Sequence, residues 1–512
     1  MAKLHPSNLA QRFAAWPRVA RIAGPVVLGA LAALGHESWA TGFWWVTIPF
    51  ILALLSLPAA SKKAASFGWL LGVGYFAVTL RWIVEPFLVD PVRHGWMAPF
   101  AILFLSGGLA LFWGAAFWLA RWFSVGRANA MLWLPITLTL AELMRGHVFT
   151  GFPWGLPSYT LIGGVGDVWF AWVGPYGTTL LLLGLIGVVA YSLHRGWTLI
   201  WPALVGCLFA TLGLQALTPQ APEPNRDVTL RLVQPNAPQH QKWDRDWMPV
   251  FFERAIAQTS AGDPPDVVIW PETSIPSLLN YAQPLIERMS IAARGAPVVA
   301  GIQREDANAY FNSAIVIEGP TTVGDIMDKA HLVPFGEYIP LAHVLVPLGL
   351  GTLVEQVAGF TAGQGDGLME IDGFGLARVL ICYEGIFPEE IQRGDVRPDV
   401  LLILTNDAWF GTNAGPRQHL VQAQARAIEQ GLPVIRAANT GISAVIDARG
   451  EIVDSLPLNE AGYLDAHVPN ALPPTAYAQI GDWPLLVLLG LFFLLGLVRR
   501  RVIAVDPLVE QG

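Results

Sequence analysis

Three short stretches of this chain, far apart in sequence, carry side chains suited to acyl chemistry. Trp270-Pro271-Glu272 offers a carboxylate, Lys329 an ammonium, and Cys382-Tyr383-Glu384 a thiol. A thiol with an ordinary pKa of about 8.5 is mostly protonated at neutral pH and needs a base or a nearby cation to become a nucleophile. Glu272 is suited to take that proton. Lys329 is suited to favour the thiolate and to stabilise a tetrahedral oxyanion, together with a backbone N–H beside Cys382. Glu337 can hold Lys329 in place and keep it charged. Each residue also has a plainer reading: Cys382 as a small core hydrophobe, Glu272 as a helix-start carboxylate, Lys329 as a solvated charge and Glu337 as a chance neighbour. Taken singly, the plainer readings are the commoner.

The segments before these residues give the constellation its shape. Leu376–Ile381 is an apolar run that stops abruptly at Cys382, as a buried strand does when it delivers a side chain at its carboxyl end. Val267–Trp270 precedes Glu272 and Val400–Thr405 precedes Asn406-Asp407 in the same way. Further strands are expected at Val228–Gln234, Val298–Ile302, Ala314–Ile317 and Ala444–Asp447, with helices near 246–259, 282–294 and 417–430. Strands alternating with helices predict an α/β domain whose polar strand ends share one edge. Asp328–Pro340 reads as a structured loop that presents Lys329 and Glu337 between prolines and a glycine.

The rest of the 512 residues is of another kind. Hydrophobic residues make up 53% and charged residues 14%, against about 25% charged in an ordinary soluble domain. Net charge is −8 with a pI near 5.7, which gives no reason to expect nucleic-acid binding. Two cysteines, with Cys207 inside an apolar run, exclude a disulfide framework and metal-type cysteine spacing. Apolar runs near the roughly 17–25 residues that a bilayer requires fall at 21–36, 42–59, 65–81, 96–120, 128–146, 168–192, 197–217 and 484–498. Lys62-Lys63, Arg121 with Arg127, Arg195 and Arg499-Arg500-Arg501 then lie on the cytoplasmic side, leaving the soluble part outside. The expected architecture is a helical bundle of about eight transmembrane helices plus an extracytoplasmic α/β domain. Its divisions are 1–217, 218–480 and 481–512, the last holding the final span and a basic tail.

Two further apolar features invite a reading. Trp154, in Gly151-Phe152-Pro153-Trp154-Gly155, is expected to be an interfacial anchor, with one wall of a lipid-facing cleft as the alternative. Residues 341–360 are apolar enough to cross a membrane. A crossing there would part Lys329 from Cys382 and put Arg499–Arg501 outside, and Pro347, Gly349 and Gly351 interrupt a helix. The expectation is an arm dipping into the membrane interface, with a buried helical hairpin as the alternative.

Glu272, Lys329 and Cys382 in this order, in Trp-Pro-Glu, Lys-Ala-His-Leu-Val-Pro-Phe-Gly-Glu and Cys-Tyr-Glu, resemble the motifs of the carbon–nitrogen hydrolase (nitrilase) superfamily over about residues 226–470. That resemblance implies an αββα sandwich and a Glu–Lys–Cys triad. Seven preceding spans and one following, with Lys242-Trp243-Asp244 and Asn406–Gly411, make nearly the whole chain similar to the apolipoprotein N-acyltransferase family of the bacterial inner membrane. Met327 departs from it, standing where an aromatic residue is expected two before the lysine.

The second resemblance implies a thioester on Cys382, formed from a phospholipid (typically phosphatidylethanolamine) and passed to the amine of the diacylglyceryl-cysteine that begins an apolipoprotein. It implies Glu272 as base, Lys329 as oxyanion stabiliser, Glu337 in support, and Trp243, Tyr383 and Glu384 near the substrate. It also implies a catalytic domain on the periplasmic side and no cofactor. A membrane-tethered amidase acting on a small C–N bond is the competing enzyme. A transporter or receptor with a degenerate domain is disfavoured by the intact triad.

Overall fold

The computed structural model describes residues 17–37, 42–57, 63–124, 129–195, 200–219, 226–340, 342 and 359–505. The apolar segment 341–360, apart from residues 342, 359 and 360, lies outside them. The chain divides into two compact units, Met1–Pro219 with Pro474–Gly512, and Gln220–Pro473.

The first unit is helical. Its main helices are α1 (Arg18–Ala33), α2 (Gly42–Ser56), α3 (Ala64–Thr79), α4 (Ala98–Phe123), α5 (Ala130–His147), α6 (Trp169–Arg195), α7 (Ile200–Leu217) and α11 (Trp483–Val505), so a helix occupies every predicted span. Among the described residues, five stretches are long and apolar enough to cross a bilayer: Arg18–His36, Pro91–Phe123, Trp169–His194, Ile200–Leu217 and Trp483–Arg501. Ala64–Thr79 with Arg81–Leu88, bent by 48°, makes a sixth if the pair is one span. The 15-residue α2 is short for a crossing. Helix α5 carries Glu142 and Arg145, ion-paired and buried. Close packing of α1 on α3 rests on Gly29 and Gly74, where a Cβ would come within 1.9 Å of Leu71 O and 2.0 Å of Val26 O.

Trp154 is not an interfacial anchor. It is 1% exposed, its ring centroid 4.6 Å from that of Trp82. The Arg145 guanidinium donates to the carbonyls of Phe152 and Trp154, and the Tyr75 hydroxyl donates to that of Gly155 at 3.0 Å. Carbonyls freed by Gly151 and Pro153 thus find buried donors, which draws the loop into the unit's interior.

The second unit is a sandwich of two six-stranded sheets. Strands are β1 (Thr229–Gln234), β2 (Val267–Ile269), β3 (Val298–Asp306), β4 (Ala309–Ile317), β5 (Val323–Asp328), β6 (Leu368–Ile371), β7 (Gly375–Ile381), β8 (Val400–Thr405), β9 (Val434–Ala438), β10 (Ser443–Ile446), β11 (Ile452–Leu456) and β12 (Gly462–His467). One sheet has the order β12-β1-β2-β3-β4-β5 and the other β11-β10-β9-β8-β7-β6. In each the three middle strands are parallel, β1-β2-β3 and β9-β8-β7, and the flanking strands antiparallel. The sheets meet through β1 and β9 and through β4 and β7.

Helices cover both outer faces. α8 (Met248–Ser260) and α9 (Gln283–Ala293) bury Phe252, Ala255, Ile286 and Met289 against Val268, Trp270 and Val298. α10 (Ala414–Gln430) buries Leu420, Ala423 and Ala427 against Leu401, Ile403 and Val434. This αββα arrangement places apolar residues on both faces of the parallel strands, which is why they read as continuous apolar runs. Met327 lies buried in β5 opposite Ala314, so the position is filled by a flexible aliphatic side chain.

Candidate active site

The candidate residues come together at the carboxyl ends of the strands. Glu272 follows β2, Lys329 follows β5, and Cys382 follows β7. Lys329 is almost wholly buried, with Nζ 2.9 Å from Glu337 Oε1 and 3.8 Å from Glu272 Oε1. Its backbone is fixed on both sides, the N–H donating to Asn312 O at 2.8 Å and the carbonyl accepting from Gly363 at 2.8 Å. Burial lowers its pKa, but the Glu337 and Glu272 carboxylates outweigh that and hold it well above the usual lysine range.

Cys382 sits where β7 turns into a short 3₁₀ helix, Cys382–Ile386, with φ of 54°. A non-glycine residue in the left-handed region costs conformational energy and persists only where its surroundings impose it. Glu384 supplies much of that imposition. Its carboxylate accepts from the N–H of Ile381 at 2.8 Å, and from Ala330 and His331 at 2.8 and 3.0 Å. One buried side chain therefore ties the cysteine turn to the lysine loop. The resemblance placed Glu384 near substrate; its contacts are with backbone.

Burial pushes the Cys382 thiol far above its ordinary range, and Glu272 pushes it further. Lys329 and a hydrogen bond with Thr405 pull it back only in part. This direction favours the protonated thiol, and a thiol so placed beside a carboxyl group and an ammonium suits proton transfer at the moment of attack rather than a standing thiolate.

Trp243 is 43% exposed at the end of the short helix Gln239–Lys242. It lines a narrow cleft with Lys242, Met248, Phe251, Glu272 and Thr273. Tyr383 is buried, its ring edge-on to His331 and Phe387. Glu337 also closes its own turn, accepting from Val333 N–H at 2.7 Å.

Asn312 went unnoticed in the sequence. From β4 its Nδ2 bridges Glu272 Oε1 at 2.8 Å and Glu337 Oε1 at 3.1 Å, coupling the two carboxylates that flank Lys329. Only its place in an otherwise apolar run, before Ser313-Ala314-Ile315, hinted at a use. Asp407, at the end of β8, accepts from Thr405, His419 and Arg436 at 2.9, 2.9 and 2.5 Å, all of them buried. Among the described residues no group of three or more His, Cys, Asp or Glu side chains could hold a metal ion.

Comparison with known proteins gives the family. Residues 229–477 match the carbon-nitrogen hydrolase family, and residues 28–188 match the apolipoprotein N-acyltransferase N-terminal domain. Apolipoprotein N-acyltransferase of Caulobacter vibrioides is 37% identical over 93% of this chain and 94% of its own length. The chain belongs to the apolipoprotein N-acyltransferase family. The Rhodopseudomonas palustris member is 35% identical, also over 93% of this chain and 94% of its own length. The Bradyrhizobium diazoefficiens member is 36% identical, over 90% and 91%. The similarity therefore spans both units, not the sandwich alone.

Proposed function

We propose that this protein moves an acyl chain from a membrane phospholipid to the N-terminal amine of a diacylated apolipoprotein, through a thioester on Cys382. The observation that carries the mechanism is a buried lysine held between Glu272 and Glu337, with the thiol of Cys382 beside them on a strained turn.

In the first half-reaction Cys382 Sγ attacks the lipid ester carbonyl while its proton passes to Glu272. Lys329 and a backbone N–H beside Cys382 balance the oxyanion. Collapse breaks the ester C–O bond, and the lysophospholipid oxygen leaves with the proton from Glu272. In the second, the acceptor amine attacks the thioester, Glu272 takes a proton from nitrogen, and the C–S bond breaks to restore the thiol. Glu337 and Asn312 hold Lys329 and Glu272 apart and aligned. Trp243 and Tyr383 flank the approach to them.

Phosphatidylethanolamine is the proposed donor. The proposed setting is the bacterial inner membrane, with eight crossings, the divisions 1–217, 218–480 and 481–512, and the sandwich on the periplasmic side. A tethered amidase is not favoured, since relatives matched along more than nine-tenths of this chain are named as acyltransferases.

The test uses purified protein and phospholipid with a labelled acyl chain, followed by a diacylated lipopeptide with a free amine. Label should join the protein as a hydroxylamine-sensitive thioester and move to the peptide. A Cys382→Ser protein that still acquires and passes on label would exclude the mechanism.

A further inference from the structure

Lys242 is a second buried ammonium, in the cleft beside Glu272, and the reaction above gives it no task. Its Nζ donates to the backbone carbonyl of Glu272 at 3.1 Å and to Thr273 Oγ1 at 2.8 Å. Its charge lies 5.6 Å from the centroid of the Trp243 ring. Burying an ammonium is costly unless its hydrogen bonds are met, so a lysine kept here is expected to do something a methionine could not.

The turn that Lys242 grips is strained. Thr273 has φ of 43°, a conformation few β-branched residues adopt. Glu272 and Thr273 also press on β3 at Gly301. A Cβ there would lie 2.5 Å from Thr273 N and 2.6 Å from Glu272 Cα. Packing holds the turn from one side and Lys242 from the other.

Resting on the Glu272–Cys382 reading above, we propose that Lys242 is a positioning residue for the base. By holding the Glu272 carbonyl and the Thr273 hydroxyl it keeps the strained turn closed, so that the Glu272 carboxylate stays on the Lys329 and Cys382 side. Its charge also fixes the Trp243 wall of the same cleft to that turn.

The titratable groups around Lys242 are Glu272, from the end of β2, and Cys382, from the end of β7. Desolvation lowers the Lys242 pKa to about 8, with Glu272 and Cys382 opposing the shift. Lys329 and Cys382 are both held above their ordinary ranges. Above that pKa Lys242 loses the charge that strengthens both hydrogen bonds and its contact with the Trp243 ring, so its titration adds an alkaline limb to the reaction.

The experiment follows thioester formation from labelled phospholipid between about pH 6 and 10 in the full-length protein. Its variants are Lys242→Met, Lys242→Arg, Thr273→Val and the Lys242→Met/Thr273→Val double variant. Lys242→Met should slow acylation roughly ten- to a hundredfold, mainly in the rate rather than in the lipid concentration needed for saturation. Thr273→Val should slow it less, and should add little in the Lys242→Met background, because both remove one contact. Wild-type acylation should fall above about pH 8, whereas Lys242→Arg, which stays charged, should hold its rate.

A Lys242→Met rate within about twofold of wild type, or effects of the two substitutions that simply multiply, would overturn the proposal. If Lys242→Met does not fold, Thr273→Val and the alkaline limb of Lys242→Arg decide it. The parent reading fails differently: it falls if Glu272→Gln or Cys382→Ser still forms the thioester. This inference alone falls if those two are dead and Lys242→Met is unimpaired.

Discussion

At the residue scale, Glu272 has two opposed effects on one thiol. Its charge, added to burial, raises the Cys382 pKa and so opposes thiolate formation, yet its carboxylate is the acceptor that acyl transfer requires. The two are separable by reagent. Iodoacetamide reacts with thiolate and needs no base positioned for an ester, whereas the lipid ester does. In a Cys207→Ser background, which leaves Cys382 as the sole cysteine, Glu272→Gln should speed alkylation at neutral pH and abolish thioester formation from lipid. Lys329→Met removes the charge that pulls the thiol pKa down and should slow both. Alkylation rates for the unsubstituted site should still be climbing at about pH 10, since its pKa lies above the ordinary thiol range. Parallel loss of both reactions in Glu272→Gln would mean that the residue holds the fold rather than the proton.

At the scale of elements, the site depends on segments that press closely on one another, and Gly301 makes such a contact with the Glu272–Thr273 turn. It lies in β3, with its N–H on Pro271 O at 3.2 Å and its carbonyl accepting from Ser274 at 2.9 Å. Gly301→Ala would drive a methyl into the backbone of the Glu272–Thr273 turn, so either β3 or the turn must move. The expected result is a loss of acylation of about a hundredfold from a shift of the order of 1 Å, with a stability cost of about 1–3 kcal/mol measured by thermal unfolding. Unchanged acylation would show that the turn tolerates displacement.

None of this crowding was visible in the sequence, where Ala300-Gly301-Ile302 reads only as an apolar strand. Lys329 was legible from the prolines and glycine of the loop Asp328–Pro340 that presents it. Glu272 and Cys382 were legible because an abrupt change from apolar to polar at a strand end is a local signal. Strands β7 and β8 were legible for the same reason. By contrast β5, with Gly324 and Asp325, and β11, with Asp454 and Ser455, alternate polar and apolar residues at sheet edges and read as loops. In β9 the buried Arg436 interrupts the apolar run, and only Asp407, 29 residues earlier, explains why an arginine is there. Asn312 was equally opaque, and so was the task of Lys242 within Lys242-Trp243-Asp244, since their partners lie 40 and 30 residues away.

At the scale of the molecule, the soluble unit enters after α7 and leaves before α11, so its side of the membrane is set by how many helices cross. Helix length and apolarity support five crossings, or six if the bent pair is one span. The short α2 and the charged α5 are what separate that number from eight. Basic residues supply the independent argument: Lys63, Arg121, Arg195 and Arg499–Arg501 all fall on one side if α3 to α7 and α11 each cross. An odd number of crossings between Lys63 and the sandwich puts the two on opposite faces, and the single crossing of α11 puts Arg501 with Lys63. In a cysteine-free Cys207→Ser/Cys382→Ser background, Asp263→Cys should react with a membrane-impermeant maleimide on intact spheroplasts. Lys63→Cys and Arg501→Cys should react only after permeabilisation. If Lys63→Cys labels together with Asp263→Cys, one of α3 to α7 fails to cross, and the Glu142–Arg145 pair makes α5 the first suspect. Should Arg501→Cys label from outside as well, α11 does not span and the chain's last basic cluster lies on the same side as the sandwich.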